Sequence, residues 1–388
     1  MRNKLLAAAA LLVLIALGVF FFYVPVKVDS SMNAVAMRPP YEASARAKAL
    51  HQRLFIADLH DDALLWNRDL LRRYDYGHVD LPRLQEGKVS LQVFATVTKS
   101  PRGLNFDRNA ADSDTITALV MAQRWPVRTW GSLLERSLYQ SEKLHKAAAG
   151  SEGRMLVIRT ATQLKALVQG GGQGGGKLGA IMATEGLHPL EGKLDNIDRL
   201  YDAGFRITGL THFFDNELGG SAHGLEKGGL TPFGRDVVRR LEQKQIIVDL
   251  AHASPKVVDD VLAMAKRPVL VSHTGVQATC RGPRNLSDEH LRKIAATGGV
   301  IGIGYFDGAV CGLDVLSIVA AIRHAVKVAG VQHVALGSDF DGATKTPFDV
   351  TGLPLLTQGL LDGGFSEDDI AAIMGGNVLR LFLAAMPQ

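Results

Sequence analysis

His60 and Asp62 lie two residues apart in the stretch Ala57-Asp-Leu-His-Asp-Asp62, directly after the apolar run Leu54–Ile56. In an extended chain, side chains two apart leave the same face, so these two could grip one cation while Asp61 points the other way. A polar loop trailing a strand would read the same in isolation. What separates the readings is recurrence: further apolar runs end in Glu185, in His212, in His252, in His273, and in Asp339 and Asp341. One such histidine is ordinarily a hydrogen-bonded structural residue. Repetition at equivalent positions favours a shared site, because uncompensated charge is costly to bury.

The His-x-Asp pair, Glu185 and two further histidines exceed what one tetrahedral zinc takes and suit two ions bridged by a carboxylate, with Glu185 the natural bridge. Cations about 3.5 Å apart would hold and acidify a shared water, giving a hydroxide that can attack a carbonyl at neutral pH. The Gly-x-Ser-x-Gly elbow is absent, and Cys280 and Cys311 stand outside the ligand set, which makes covalent catalysis the weaker alternative. After His273 comes Cys280-Arg-Gly-Pro-Arg-Asn285. Arg284 there could hold a carboxylate in bidentate fashion, or be a surface arginine on a loop.

These residues need elements to position them, and the chain supplies eight apolar β-type runs: Leu54–Asp58, Val89–Val97, Leu178–Thr184, Phe205–Thr211, Ile246–Leu250, Pro268–Ser272, Val300–Tyr305 and His333–Gly337. Amphipathic segments separate them, the pattern of a parallel sheet built from βα units, and eight such units suggest a closed (β/α)8 barrel of the TIM type. In that fold the active face lies at the C-terminal strand ends, where six of the eight runs carry the groups named above. A short helix, Ala43–Gln52, leads into the first run, and Arg108–Ala149 reads as a long helical region. Thr231-Pro232, Ser254-Pro255 and Ser366 are helix starts, the last helix running through Leu379–Leu383. The run Gly170–Gly176 lacks the Lys-Ser/Thr ending of a phosphate loop and precedes a strand, so it reads as a flexible surface loop.

At 388 residues, with 47% apolar and 21% charged residues, the chain is globular in composition. Its net charge is +4, and no basic run interleaved with aromatics occurs, which argues against a nucleic-acid partner. Arg2 and Lys4 precede the charge-free stretch Leu5–Val26, long enough to span a bilayer and without a small-residue cleavage pattern. We read residues 1–26 as an uncleaved signal anchor with the N-terminus cytoplasmic, 27–42 as a tether, and 43–388 as an exported hydrolase barrel. Such a compartment permits Cys280 and Cys311 to pair, though two buried thiols would fit equally.

The motifs Asp58-Leu-His60-Asp-Asp62, Glu185-Gly186, Leu210-Thr-His212, Asp249-Leu-Ala-His252, Ser272-His273, Arg284-Asn285, Asp339-Phe-Asp341-Gly342 and Gly376-Asn377-Val-Leu-Arg380, in this order, resemble the membrane dipeptidases, also called renal dipeptidases, of the amidohydrolase superfamily. The resemblance covers about Leu54 to Leu383. It implies two zinc ions per chain, one held by His60, Asp62 and Glu185, the other by Glu185, His252 and His273. It implies that His212 contacts the scissile carbonyl or the tetrahedral intermediate, that Arg284 receives the substrate's terminal carboxylate, and that Asp339 shuttles the proton from water to leaving amine. The family's usual opening has Asn where this chain has Asp61, so a change in hydrogen bonding behind the ligands is expected there. Mammalian relatives carry a C-terminal glycolipid signal that the tail Ala384–Gln388 lacks, which assigns attachment to the N-terminus. The resulting expectation is a membrane-tethered dipeptidase, tolerant of a D-residue on the carboxyl side, acting alone or as a homodimer. Alternatives are another hydrolase on this scaffold, such as an N-acyl-amino-acid deacylase or lactonase, and an exported binding protein.

Overall fold

The computed structural model describes residues 1–171 and 176–388; residues 172–175, the centre of the glycine run read as a flexible loop, lie outside the described residues. Among the described residues nine strands form: β1 (Ile56–Asp61), β2 (Val89–Thr96), β3 (Met155–Val157), β4 (Leu178–Thr184), β5 (Phe205–Gly209), β6 (Ile247–Asp249), β7 (Leu270–Thr274), β8 (Val300–Ile303) and β9 (Val334–Leu336). All pairings among them are parallel. Eight close a ring, β1-β2-β4-β5-β6-β7-β8-β9 and back to β1, the expected (β/α)8 barrel. The unexpected strand is β3, which pairs only the first residues of β4. Three residues with Leu156 39% exposed carry too little apolar pattern to be read as a strand.

The other strands are buried on both faces, which is why they appear as near-continuous apolar runs. Ala57, Leu59, Leu91 and Val93 pack with Leu164, Leu167, Leu381 and Phe382 of helices Ala161–Gln169 and Asn377–Ala385. Alternation then turns Asp58, His60 and Gln92 to the opposite face, where Asp58 and Gln92 lie in register.

Helix starts fall where capping chemistry places them. Thr231, Ser254 and Ser366 each accept a backbone N–H three residues on, at 3.0, 3.1 and 3.1 Å. The region Arg108–Ala149 is not one helix but three, Ile116–Ala122, Arg128–Gly131 and Leu133–Gly150, because Pro126 intervenes and Ser132 adopts an extended conformation to cap the last.

The N-terminal apolar run is helical and extends further than its uncharged part: Arg2–Met32 is one helix of 31 residues with a single wide turn at Val19–Tyr23. Residues 27–42 therefore do not form a free tether. Lys27–Met32 continue the helix, and Asp29 is buried against Arg68, whose Nε donates to it at 2.9 Å. Val35 then pairs in parallel with Thr346. The polar composition that suggests a linker here is instead a set of partners for the barrel.

Candidate metal centre

At the C-terminal strand ends, four of the six elements that matter deliver their groups by leaving the sheet. Glu185 follows β4, His212 lies past β5, His252 past β6 and Asp339 past β9, while His60 and His273 sit within β1 and β7. His252 and Asp339 both have left-handed backbones, φ 62° and 61°, which costs a non-glycine residue about 1 kcal/mol. Each is held there by two donors on its carbonyl: Ala222 N–H and Thr211 Oγ1 at 2.8 and 3.2 Å for His252, Gly342 N–H and Thr344 Oγ1 at 3.2 and 2.9 Å for Asp339. Gly342 has to be glycine, since a Cβ there would lie 2.0 Å from the Asp339 carboxylate.

Glu185 stands at the centre. Its Oε1 lies 3.0 Å from His252 Nε2, 3.2 Å from His273 Nε2 and 3.5 Å from His60 Nε2, and its Oε2 is 3.2 Å from His212 Nε2. His60 Nε2 is also 3.5 Å from Asp62 and 3.9 Å from Asp339. Three groups have ligand atoms within 4.8 Å of one another among the described residues: His60, Glu185 and His273; Glu185, His212 and His252; and His60, Asp62 and Asp339. The same residues that the sequence singles out thus come together, in overlapping groups that differ from the two triads the resemblance implies.

The electrostatics describe a site built for a cation. Burial pushes Glu185 well above the usual carboxylate range, with the Asp62 charge adding to it. Burial likewise raises Asp339, to about 7, against the pull of His60. His212, His252 and His273 are held by burial well below the ordinary imidazole value. Burial also opposes charge on His60, but Asp62 and Glu185 outweigh it and lift its pKa to about 10. Among the described residues, His60 Nε2, Asp62 Oδ1, His212 Nδ1 and His252 Nδ1 are buried polar atoms with no hydrogen-bond partner. His252 Nε2 and His273 Nε2 face each other at 3.0 Å. Two imidazole nitrogens and a carboxylate oxygen converging on one point fit a divalent cation far better than they fit one another.

The surrounding residues fix these orientations. Asp58 accepts from the N–H of His60 at 3.0 Å and from Ser338 Oγ at 3.0 Å, tying β1 to the end of β9. Asp249 does the same for β6 and β7, accepting from Ala251 and Ser272 N–H at 3.0 and 2.9 Å. Ser272 Oγ lies 2.8 Å from His273 Nδ1, leaving Nε2 toward Glu185. Arg284 is buried, not a surface arginine: it donates to the His273 carbonyl at 2.6 Å, and among the described residues its Nε has no hydrogen-bond partner. Asp61 is fully buried and accepts from Ala63 N–H at 2.9 Å, away from the cluster. Asp341, counted with the strand-end groups, takes no part in the cluster either. It pairs with Arg68 at 2.6 Å and accepts from His78 N–H at 2.7 Å. Cys280 and Cys311 form a disulfide across the loops that follow β7 and β8.

Sequence reasoning missed His223, whose ring lies 5.3 Å from that of His252 and whose Nδ1 is 2.7 Å from the Phe106 carbonyl. It also missed the aromatic surroundings, with Phe213 4.7 Å from His212 and the Arg284 guanidinium 5.7 Å over Phe306. None of these ends an apolar run, so no local pattern marks them. The cluster forms one end of a chamber of about 590 Å³.

A family model described as membrane dipeptidase, peptidase family M19, matches residues 44–386. The dipeptidase aclJ of Aspergillus oryzae is 27% identical over 412 residues, covering 98% of this chain and 88% of that protein. An uncharacterized dipeptidase of Schizosaccharomyces pombe, C3A11.10c, is 32% identical over 339 residues, covering 85% and 78%. Among solved structures, dipeptidase AC, a metallopeptidase of family M19, is similar with a TM-score of 0.71 and 25% identity, over 87% of this chain and 100% of that one. A metallopeptidase from Rhodobacter sphaeroides, liganded with a phosphinate mimic of the dipeptide L-Ala-D-Ala, gives 0.69 and 25%, over 86% and 99%. With the match running from the helix ahead of β1 through the last helix, the chain belongs to the membrane dipeptidase family, peptidase family M19.

Proposed function

We propose that this chain is a two-zinc dipeptidase, anchored in a membrane by its N-terminal helix with the barrel on the exported side. The observation that carries the reading is the convergence of four histidines on the two oxygens of Glu185, with Asp62 and Asp339 beside them. His60, Asp62, Glu185, His252 and His273 would hold the metal pair, which supplies Lewis acidity and an acidified water at neutral pH. Arg284, buried with an unpartnered Nε, binds the substrate's terminal carboxylate and fixes which bond lies over the centre. His212, its Nε2 on Glu185 and its Nδ1 free, contacts the scissile carbonyl. Asp339 accepts the proton released by the attacking water and returns it to the departing amine. The phosphinate-bound relative supports a D-residue on the carboxyl side, and the disulfide supports the exported side.

The test is the full chain in detergent, loaded with zinc and offered L,L- and L,D-dipeptides beside N-acyl amino acids and lactones. We expect nearly two zinc ions per chain and turnover of the dipeptides. Undiminished activity in metal-free protein would sink the mechanism, and turnover of the acyl amino acids or lactones alone would transfer the scaffold to another hydrolase class.

A further inference from the structure

The chamber that ends at Glu185 is larger than the reaction needs. Clefts of roughly 300–1,000 Å³ take drug-sized ligands, and this one, at about 590 Å³, is continuous from Asp62, Glu185 and Asp339 to an apolar far side. Part of that far side belongs to the N-terminal helix: Phe20, Val24, Val28 and Met32 line the chamber. They stand four apart, a single stripe along one helix face. Phe20 and Met32 remain 37% and 44% exposed, so the stripe borders open space and is not sealed in a core.

The stripe is held in place by its neighbours on the same helix. Asp29 accepts from Arg68, whose other nitrogen pairs with Asp341, and Asn33 Oδ1 accepts the N–H of Ala343 at 2.9 Å. Ala36 N–H then donates to Thr346 at 2.8 Å. The helix is therefore bonded to the segment that begins at Asp339, and Asp341, Ala343 and Thr344 of that segment line the same chamber. Val28 also packs against the cluster containing Trp66 and Ile116. The first half of the helix has none of this, for residues 1–17 are all exposed.

We propose that the outer end of the N-terminal helix is a wall of the substrate chamber, and that the subsite it bounds takes a bulky apolar side chain of the dipeptide. The inference rests on the dipeptidase reading above. Apolar lining selects an apolar occupant, and continuity with the metal cluster and Arg284 makes that occupant part of the substrate. Where the free half of the helix lies in a bilayer, Phe20 to Tyr23 stand at its interface, the usual place for aromatic residues. The subsite then opens at the membrane surface. The helix is a specificity element as well as an anchor.

The experiment uses the full chain in lipid nanodiscs, zinc-loaded, with Ala-Ala, Phe-Ala and Ala-Phe. Val28→Trp fills the subsite and should raise KM for the better phenylalanine substrate about tenfold more than for Ala-Ala. Val26→Trp, on the exposed face, should leave that ratio at the parental value. A parental ratio in Val28→Trp, or an equal shift in Val26→Trp, overturns the proposal. If Val28→Trp does not fold, Val28→Ala and Met32→Ala carry the same comparison and should move the ratio at least about threefold; a parental ratio in both overturns it. A parent that cleaves no dipeptide refutes the dipeptidase reading instead. The wall is then judged by fluorescence of the indole introduced by Val28→Trp, which a benzyl-bearing phosphinate dipeptide mimic should quench and a methyl-bearing one should not; equal quenching overturns it.

Discussion

Glu185 has four imidazoles around two oxygens, so its removal does more than delete one carboxylate. In Glu185→Ala, His252 and His273 would face each other with no carboxylate between them, and metal content should fall below one ion per chain by elemental analysis, with activity lost. Asp339 lies at the edge of the group, 3.9 Å from His60. Asp339→Asn should leave metal content unchanged while kcat drops roughly 10²–10⁴-fold. Full turnover in that variant would remove Asp339 from the proton path. Asp61 is buried and stands away from the cluster. Oδ1 takes the Ala63 N–H, a bond an asparagine would keep, while Oδ2 is buried with no hydrogen-bond partner among the described residues. Asp61→Asn removes a carboxyl that burial disfavours, and should leave metal content unchanged while stabilising the fold by about 1 kcal/mol in denaturant titration.

Strand ends were legible because a buried parallel strand announces itself as an apolar run, and a titratable residue closing that run stands out. Asp58, His60, Glu185, His212, His252, His273 and Asp339 were all readable in this way. Asp341 shows the limit of the rule, since the same pattern yields a residue that orders Arg68 and His78. What no run could reveal is contact between distant elements: β3 on β4, His223 beside His252, or Asn377 clamping the last helix to the Val331 and Val334 carbonyls at 2.7 and 2.8 Å. The helix Ala45–His51 gives one such contact a pH signature. His51 is buried, with Nδ1 2.8 Å from Thr357 Oγ1 and Nε2 3.1 Å from the Gly87 carbonyl. Burial lowers its pKa to about 4, against the Gly87 hydrogen bond. The folded state therefore holds it neutral, while the unfolded chain protonates near 6.5. Its contribution is fully present above that pH and is lost as pH falls toward 4, by up to about 3 kcal/mol. In metal-free protein, the fall in unfolding free energy between pH 7.5 and 4.5 should be smaller in His51→Gln than in the parent by about that amount.

The barrel and the N-terminal helix share one chamber, and the disulfide ties two of the loops beyond the strand ends. The helix borders the chamber beside Asp339, and the Cys280–Cys311 bond braces the loop that presents Arg284. A cross-link spanning 31 positions is worth about 3–4 kcal/mol through the entropy of the unfolded chain. The double variant Cys280→Ser, Cys311→Ser should lose roughly that stability in a denaturant titration, and its KM for dipeptides should rise as Arg284 loosens. Residues 281–310, which include Arg284, a whole helix and β8, sit inside a covalent ring. A protease that cuts a single peptide bond within that ring cannot release either piece. Such protein would migrate at full mass until a thiol is added and only then separate into two fragments, so a chain nicked beside Arg284 would still travel as one molecule.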